Sequence, residues 1–175
     1  MQLSRNKIGT VWLGGTFDRQ QAGTDFPDMD IVCCIPYGNE SPNLTPIARN
    51  LMRAVRSDTR KPIEQLFYNV QARKSYTEET SGELLPMFMA IRSGPTAINQ
   101  QGWSFAVDGK EMHVYYDNNM NYIEPDTGIA LGNIALLLKE SNIKPHFFVK
   151  ETPPPSYLGG AYVCTCILVN ETNIN

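Results

Sequence analysis

The chain has little of what several kinds of function need. Its two histidines, His113 and His146, stand in no recognisable motif that would supply a carboxylate or a nucleophile as partner, so both read as structural or surface residues. Its four cysteines fall as an adjacent pair, Cys33 and Cys34, and a pair two apart, Cys164 and Cys166. Neither pair has the CxxC spacing of a metal site, and no metal ligand set is expected. Both pairs lie in strand-like runs, where buried free thiols are the ordinary state, and this suits a reducing compartment. Fifteen lysines and arginines against 18 aspartates and glutamates give a net charge of -3 with no basic stripe, which argues against nucleic acid as a partner. No apolar run approaches the length of a membrane-spanning helix, and Met1 to Lys7 lacks the apolar core of a signal peptide. No membrane partner is expected, and the cytoplasm is the expected location.

What remains reads as one globular domain, since 175 residues can bury a real core and are short for two. One stretch organises it, Gly94-Pro95-Thr96-Ala97-Ile98-Asn99-Gln100-Gln101-Gly102-Trp103. It lies between an apolar helical run, Glu83 to Ile91, and a strand-like run, Trp103 to Val107. A polar loop held between two rigid elements is where ligand chemistry tends to be placed. Gly94 and Pro95 let the backbone leave a helix and turn, Thr96, Asn99 and Gln101 offer donors and acceptors, and Trp103 offers an aromatic wall. An ordinary helix-to-strand connection has the same composition.

Earlier in the chain, Gly9 to Phe17 opens with a β-rich run and ends in the double glycine Gly14-Gly15, which permits a tight turn or the close approach of a ligand. Gly14-Gly15-Thr16-Phe17-Asp18 looks like the start of a cytidylyltransferase motif, but the two histidine positions that should follow are Gln21 and Thr24. Ile31 to Ile35 is continuously apolar and reads as a strand buried on both faces. Asn43 or Thr45 is placed to cap a helix with Pro46 in its first turn and Ile47, Leu51 and Val55 on one face. Arg49, Arg53, Arg56 and Lys61 make that region basic, as a solvated helix face often is.

Arg73-Lys74-Ser75-Tyr76-Thr77 sets two cations and two hydroxyls just before a helix predicted to begin near Thr77, a plausible cradle for phosphate. Ser81 to Ile91 reads as helix, with Leu84, Leu85, Phe88 and Ile91 on one side. The runs Trp103 to Val107 and Met112 to Tyr116, joined through Asp108-Gly109, predict a hairpin. Asp126 to Leu138 is the strongest helix signal, capped by Asp126 or Thr127 and apolar almost all round, hence buried. Gly128, Gly132 and Ala135 give it a narrow flank that suits contact with another helix, and Asn133 within it needs a partner. Ile143 to Val149 and Tyr162 to Val169 read as strands either side of the rigid connector Pro153-Pro154-Pro155.

Four of these segments, in this order, resemble the FMN-dependent nitroreductase family, in the subgroup that fuses two related halves in one polypeptide. Pro95, Asn99, Gln101 and Trp103 keep the spacing of the family's loop, with Thr96 for serine and Gly102 for proline. The segment Thr10, Trp12, Gly14, Gly15 is similar to one that lies beside the flavin. Arg73-Lys74-Ser75 is similar to an arginine-arginine-serine segment whose last arginine is Thr77 here. The Asp126 run is similar to a central helix at the dimer or pseudo-dimer interface.

The resemblance covers about Ile8 to Phe148 and implies an α+β fold, a mainly antiparallel sheet packed with helices around a central buried helix. Residues 1–40 resemble the end of a first repeat and 41–170 a second, within a single domain 1–175. It implies FMN as cofactor, with Arg73, Lys74 and Ser75 at the phosphate and ribityl end, Pro95, Thr96, Asn99 and Gln101 at the ring edge, and Thr10, Trp12, Gly14 and Gly15 along the ring face. It implies a homodimer, NAD(P)H as reductant and a nitroaromatic, quinone or similar acceptor, with no catalytic side chain because the flavin carries the chemistry. Most of the helix that precedes Gly9 in that subgroup and its first-half flavin-phosphate segment are missing from the sequence, so the chain is expected either to be a truncated product or to complete its site by pairing with another chain. The alternatives are a non-catalytic flavin- or ligand-binding dimeric scaffold, or a nucleotide-binding module that uses Arg73 to Ser75 for another phosphate.

Overall fold

Met1–Ala54 and Val55–Asn175 form two units. The computed structural model describes residues 6, 8–13, 17–18, 20–21, 28, 31–39, 43, 45–120 and 122–169. In the first unit β1 (Gly9–Thr10) pairs antiparallel with β2 (Tyr37–Gly38), and Leu13 and Cys34 extend this ladder by one bridge, exchanging two backbone hydrogen bonds of 2.9 Å. The strand expected over Ile31 to Ile35 is therefore a single bridge. A two-stranded ladder has no second layer of its own, and Val32 and Ile35 are 53% and 42% exposed rather than buried. Helix α1 (Pro46–Ala54) begins as the sequence implies: the Ala48 N–H donates to the Thr45 hydroxyl at 3.2 Å, and Pro46 occupies the first helical position, where no N–H is needed.

The second unit is a six-stranded sheet with two helices. Its strands are β3 (Phe67–Asn69), β4 (Lys74–Ser75), β5 (Trp103–Asp108), β6 (Glu111–Tyr116), β7 (Phe147–Phe148) and β8 (Ala161–Ile167), in the order β4-β3-β5-β6-β8-β7. Only β3 and β5 run parallel. Such a pair needs a long crossover, and α2 (Leu85–Ser93) supplies it. The β5–β6 hairpin forms with Asp108 opposite Glu111, so its two-residue turn is Gly109-Lys110, one residue beyond the dipeptide read from sequence. Gly109 has φ 60° at the first central position, where a type II′ turn takes glycine. The strand expected from Ile143 to Val149 shrinks to Phe147–Phe148 at the sheet edge.

One face of the sheet carries the core. Phe67 stacks on Phe88 of α2 at a centroid distance of 3.9 Å and on Phe105 at 5.0 Å, and Tyr76 meets Phe88 edge-on at 5.0 Å. Helix α3 (Ile123–Glu140) lays Asp126, Ala130, Ile134 and Leu138 against this core, a stripe with the four-residue spacing of one helix face. The helix is thus buried along one side. Gly128 and Gly132 are exposed, with no atom within 4 Å of an added Cβ, so within the chain their flank is not where α2 packs. Asn133 does find its partner, donating to the Ala90 carbonyl of α2 at 3.3 Å.

The other face is covered by the connector after β7. The Ser104 hydroxyl donates to the Gly159 carbonyl at 3.0 Å, the Tyr115 hydroxyl to the Pro155 carbonyl at 3.1 Å, and Tyr68 stacks on Tyr157 at 4.5 Å. That cover explains why β5 is buried on both faces from Trp103 to Val107. Cys164 and Cys166 are free and buried, and burial pushes the Cys166 thiol up to about 12, which keeps it protonated and unreactive. Cys33 and Cys34 are free and half-buried.

His113 has the partners that no sequence motif announced. Its Nδ1 lies 2.9 Å from the Thr165 hydroxyl, which in turn lies 2.7 Å from the Tyr162 hydroxyl, and its Nε2 lies 3.8 Å from Glu111. Lys150 holds the same carboxylate at 2.6 Å. Burial lowers the His113 pKa and outweighs the pull of Glu111, so the ring is neutral. A histidine buried neutral stabilises the fold above its unfolded pKa of 6.5, and that stability is lost as pH falls from there through the lower folded value. The melting temperature of the wild type is accordingly expected to fall more steeply below neutral pH than that of His113→Gln; parallel curves would show the ring to be protonated in the native state.

Candidate functional site

The polar loop leaves α2 at Gly94 and enters β5 through a single 3-10 turn, Ala97–Asn99. Ile98, Asn99 and Gln101 all have left-handed backbones, with φ of 44°, 58° and 48°. Asparagine tolerates that region; an isoleucine, branched at Cβ, does not, and such a residue costs on the order of 1–3 kcal/mol. The Ile98 side chain is 62% exposed, so burial does not offset the strain. A backbone like this persists only where its surroundings hold it.

The surroundings do so from three sides. The Gln101 N–H donates to the Thr96 hydroxyl at 2.9 Å, closing the loop on itself. From the segment before β3, the Lys61 N–H donates to Gln101 Oε1 at 2.8 Å, Lys61 Nζ to the Gln101 carbonyl at 2.9 Å, and Arg60 to Asn99 Oδ1 at 3.2 Å. From α3, Asp126 accepts the Ala97 N–H at 2.9 and 3.2 Å through its two oxygens. Asp126 was expected to cap its helix. Instead α3 starts three residues earlier, after Tyr122 in a left-handed conformation, and Asp126 sits inside the first turn, 2% exposed, with its carboxylate turned to the loop. Burial raises its pKa, and the Ala97 and Tyr116 hydrogen bonds pull the other way.

The Tyr116 hydroxyl donates to Asp126 at 2.8 Å, and burial first, then the carboxylate, pushes the phenol well above its ordinary pKa. Gly102 makes this contact possible. A Cβ there would lie 2.9 Å from the Tyr116 ring and 3.0 Å from Met120. Gly94 serves another close approach, since a Cβ there would meet Asn133 Nδ2 at 3.0 Å and the Trp103 ring at 3.3 Å.

The residues expected to bind a ligand are thus placed unequally. Asn99 uses its whole side chain internally, donating to the Arg56 and Thr59 carbonyls at 2.6 and 3.1 Å and accepting from Arg60 and Gln101. Gln101 is 3% exposed and equally engaged. The Thr96 hydroxyl accepts one bond and keeps its proton, Pro95 is exposed, and Trp103 Nε1 and Gln100 Oε1 are buried without a partner. Arg60, Lys61 and Arg92 bring three half-buried cations to the loop; Arg60 and Lys61 donate to carbonyl and amide oxygens, and Arg92 to the Lys61 carbonyl and, at 3.9 Å, to the Met89 sulfur. Sequence reading assigned none of the three to a site.

Arg73, Lys74 and Ser75 are elsewhere. The helix predicted near Thr77 does not start there: Thr77 and Thr80 close a turn on each other, and α2 begins only at Leu85 after the 3-10 turn Gly82–Leu84. The helix N-terminus expected just after Arg73 to Ser75 is therefore not there. Because Lys74 pairs with Asn69 and Asn69 with Val107, the two cations lie level with the end of β5, while the loop precedes its start. Four residues of strand and two strand spacings separate Lys74 from Trp103 by on the order of 15 Å. Thr10 lies in β1 and Trp12 just after it, both exposed within the first unit; Gly14 and Gly15 lie outside the described residues.

Residues 1–137 match a family described as "Putative TM nitroreductase". The chain belongs to this family. The nitroreductase fold is present as well: a crystal structure of a putative nitroreductase from Thermotoga maritima superposes with a TM-score of 0.60 at 20% identity, over 97% of this chain and 59% of that one. The chain thus spans 59% of the length of that structure. No curated protein matches it. The α+β architecture expected from the resemblance, a mainly antiparallel sheet packed with helices, is the one found. No helix of the described residues of this nitroreductase-like chain is long and apolar enough to cross a membrane.

Proposed function

We propose that the protein is an FMN-binding oxidoreductase that takes electrons from NAD(P)H and passes them to a nitroaromatic, quinone or similar acceptor, as a homodimer in the cytoplasm. The observation that carries the reading is the strained Thr96 to Gln101 loop, held in a high-energy backbone in the segment whose likeness to the nitroreductase loop implies a flavin contact. FMN, when bound, supplies the redox chemistry. The chain's part is to bind and orient it. The Thr96 hydroxyl proton and the exposed Pro95 and Ile98 offer one donor and an apolar edge to a planar ring, while Asn99 and Gln101 keep the loop in shape rather than reaching the ligand. Arg73, Lys74 and Ser75 offer cations and a hydroxyl to a phosphate.

In this reading the site is composite, as the pairing implied by the resemblance suggests: one copy contributes the loop and a second contributes Arg73 to Ser75. Residues 1–40 and 41–170 stand in this reading as the remainder of one repeat and a second. The full internal use of Asn99 favours one alternative, a dimeric scaffold that holds flavin without turning it over.

An absorption spectrum with added FMN separates these readings. Bound flavin that bleaches with NAD(P)H is the expected result, bound flavin that stays oxidised selects the scaffold, and no binding rejects both. Arg73→Ala with Lys74→Ala should weaken FMN binding about 10- to 100-fold, the weight of charge-assisted hydrogen bonds to a phosphate. Mixing that variant with a Thr96→Val chain should restore wild-type affinity to part of the sites, which neither variant reaches alone, because one site of each mixed dimer is intact. Absence of restoration would place loop and cations in one chain's site.

A further inference from the structure

Asp126 is an unusual group for its position. It is 2% exposed inside a helix, its hydrogen-bond partners are two neutral donors, and no lysine or arginine pairs with it among the described residues. An unpaired buried carboxylate is unfavourable in the folded state. The dipole of the first turn favours a carboxylate but does not require a buried one. What burial adds lies outside the helix, on the residue immediately before the left-handed Ile98.

Two hydrogen bonds bracket the strained segment. Asp126 fixes the Ala97 N–H at its start, and the Thr96 hydroxyl fixes the Gln101 N–H at its end. Tyr116, seated on Gly102 in the next strand, fixes the carboxylate itself. We infer that Asp126 is a positioning residue: acting through the Ala97 N–H, it holds Ile98, Asn99 and Gln101 in the left-handed backbone that presents Ile98 and the Thr96 hydroxyl to a ligand. The inference rests on the loop being the ligand loop of the proposed function, but the loop's geometry is measurable with no ligand present.

Amide hydrogen exchange on the whole chain is the direct test. Asp126→Ala should speed exchange at Ala97 and Gln101 about 10- to 100-fold, while amides of the β6 ladder such as Val114 keep their rates. Asp126→Asn retains an acceptor for the Ala97 N–H and should fall between. Should Asp126→Ala fail to fold, Tyr116→Phe keeps the carboxylate but removes its second donor, and a smaller rise confined to Ala97 and its neighbours is expected. Unchanged exchange at Ala97 in whichever variant folds overturns the inference.

A double-mutant cycle adds a readout that a generally loosened fold would not give. Ile98→Gly removes the strained Cβ and should raise the melting temperature of the wild type, and should give no such gain in Asp126→Ala, where the loop has already relaxed. Equal gains in both backgrounds would show that Asp126 does not hold the strain. If Ala97 loosens as expected while the wild type binds no FMN, the positioning role stands and the oxidoreductase reading falls. If FMN binds, Asp126→Ala should weaken it at least about tenfold, as loss of one charge-assisted hydrogen bond does.

Discussion

Phe67→Ala should lower the stability of the main unit by about 3–5 kcal/mol, the range for truncating a fully buried aromatic. Phe67 is 0% exposed and lies between two rings, Phe88 of α2 at 3.9 Å and Phe105 of β5 at 5.0 Å. Its backbone is committed too, since its carbonyl accepts the Tyr76 N–H at 2.9 Å and its strand forms the parallel pair with β5. Little can collapse into the space the ring would leave. A denaturant titration gives the loss as a lower midpoint at unchanged slope. A loss below about 1.5 kcal/mol would mean that the site repacks, which that range does not allow for an undeformable neighbourhood. The effect should reach the ligand loop, because Arg60 and Lys61, which hold Asn99 and Gln101, lead directly into this strand.

Gly160→Ala should be nearly as damaging for a different reason. Gly160 has φ 97°, which L side chains rarely adopt, and an added Cβ would sit 2.9 Å from the Tyr116 carbonyl oxygen and 3.0 and 3.2 Å from its carbonyl carbon and nitrogen. That backbone cannot retreat, as Tyr116 is paired with Trp103 on one side and Ala161 on the other. Strained backbone and an immovable contact together should lower stability by about 2–4 kcal/mol. Gly159 is the control: its φ is 90°, but no atom lies within 4 Å of an added Cβ, so Gly159→Ala should cost only the backbone part, about 1–2 kcal/mol. Equal melting temperatures for the two variants would exclude the contact with Tyr116.

The elements that sequence made legible are those whose signal is local. Two β-rich runs around Asp108-Gly109 found the hairpin, Thr45 before Pro46 found a cap, and an asparagine on an apolar helix announced that Asn133 would need a partner. Local signals misled where two positions share one preference. An acid at a helix start serves equally at the cap or within the first turn, and nothing near Asp126 in the chain reveals that its partner is Ala97. His113 was unreadable for the same reason, since Thr165 meets it only through strand pairing. Arg73 to Ser75 stand close to the loop in sequence, yet the parallel β3–β5 pairing carries them to the other end of the sheet. Such placements follow from topology, which one sequence does not display.

The glycine at position 102 has a consequence for which residues can occur together. A proline ring at 102 and a tyrosine ring at 116 would compete for one volume, since even a single Cβ at 102 meets the ring at 2.9 Å. Substitution at one position is therefore conditional on the other. A chain with the proline of the resembled loop must move or shrink the side chain at 116 and so give up the hydroxyl that steadies Asp126. Two ways of stiffening the same loop, a ring in the backbone or a phenol behind it, thus exclude each other, and this chain has taken the second.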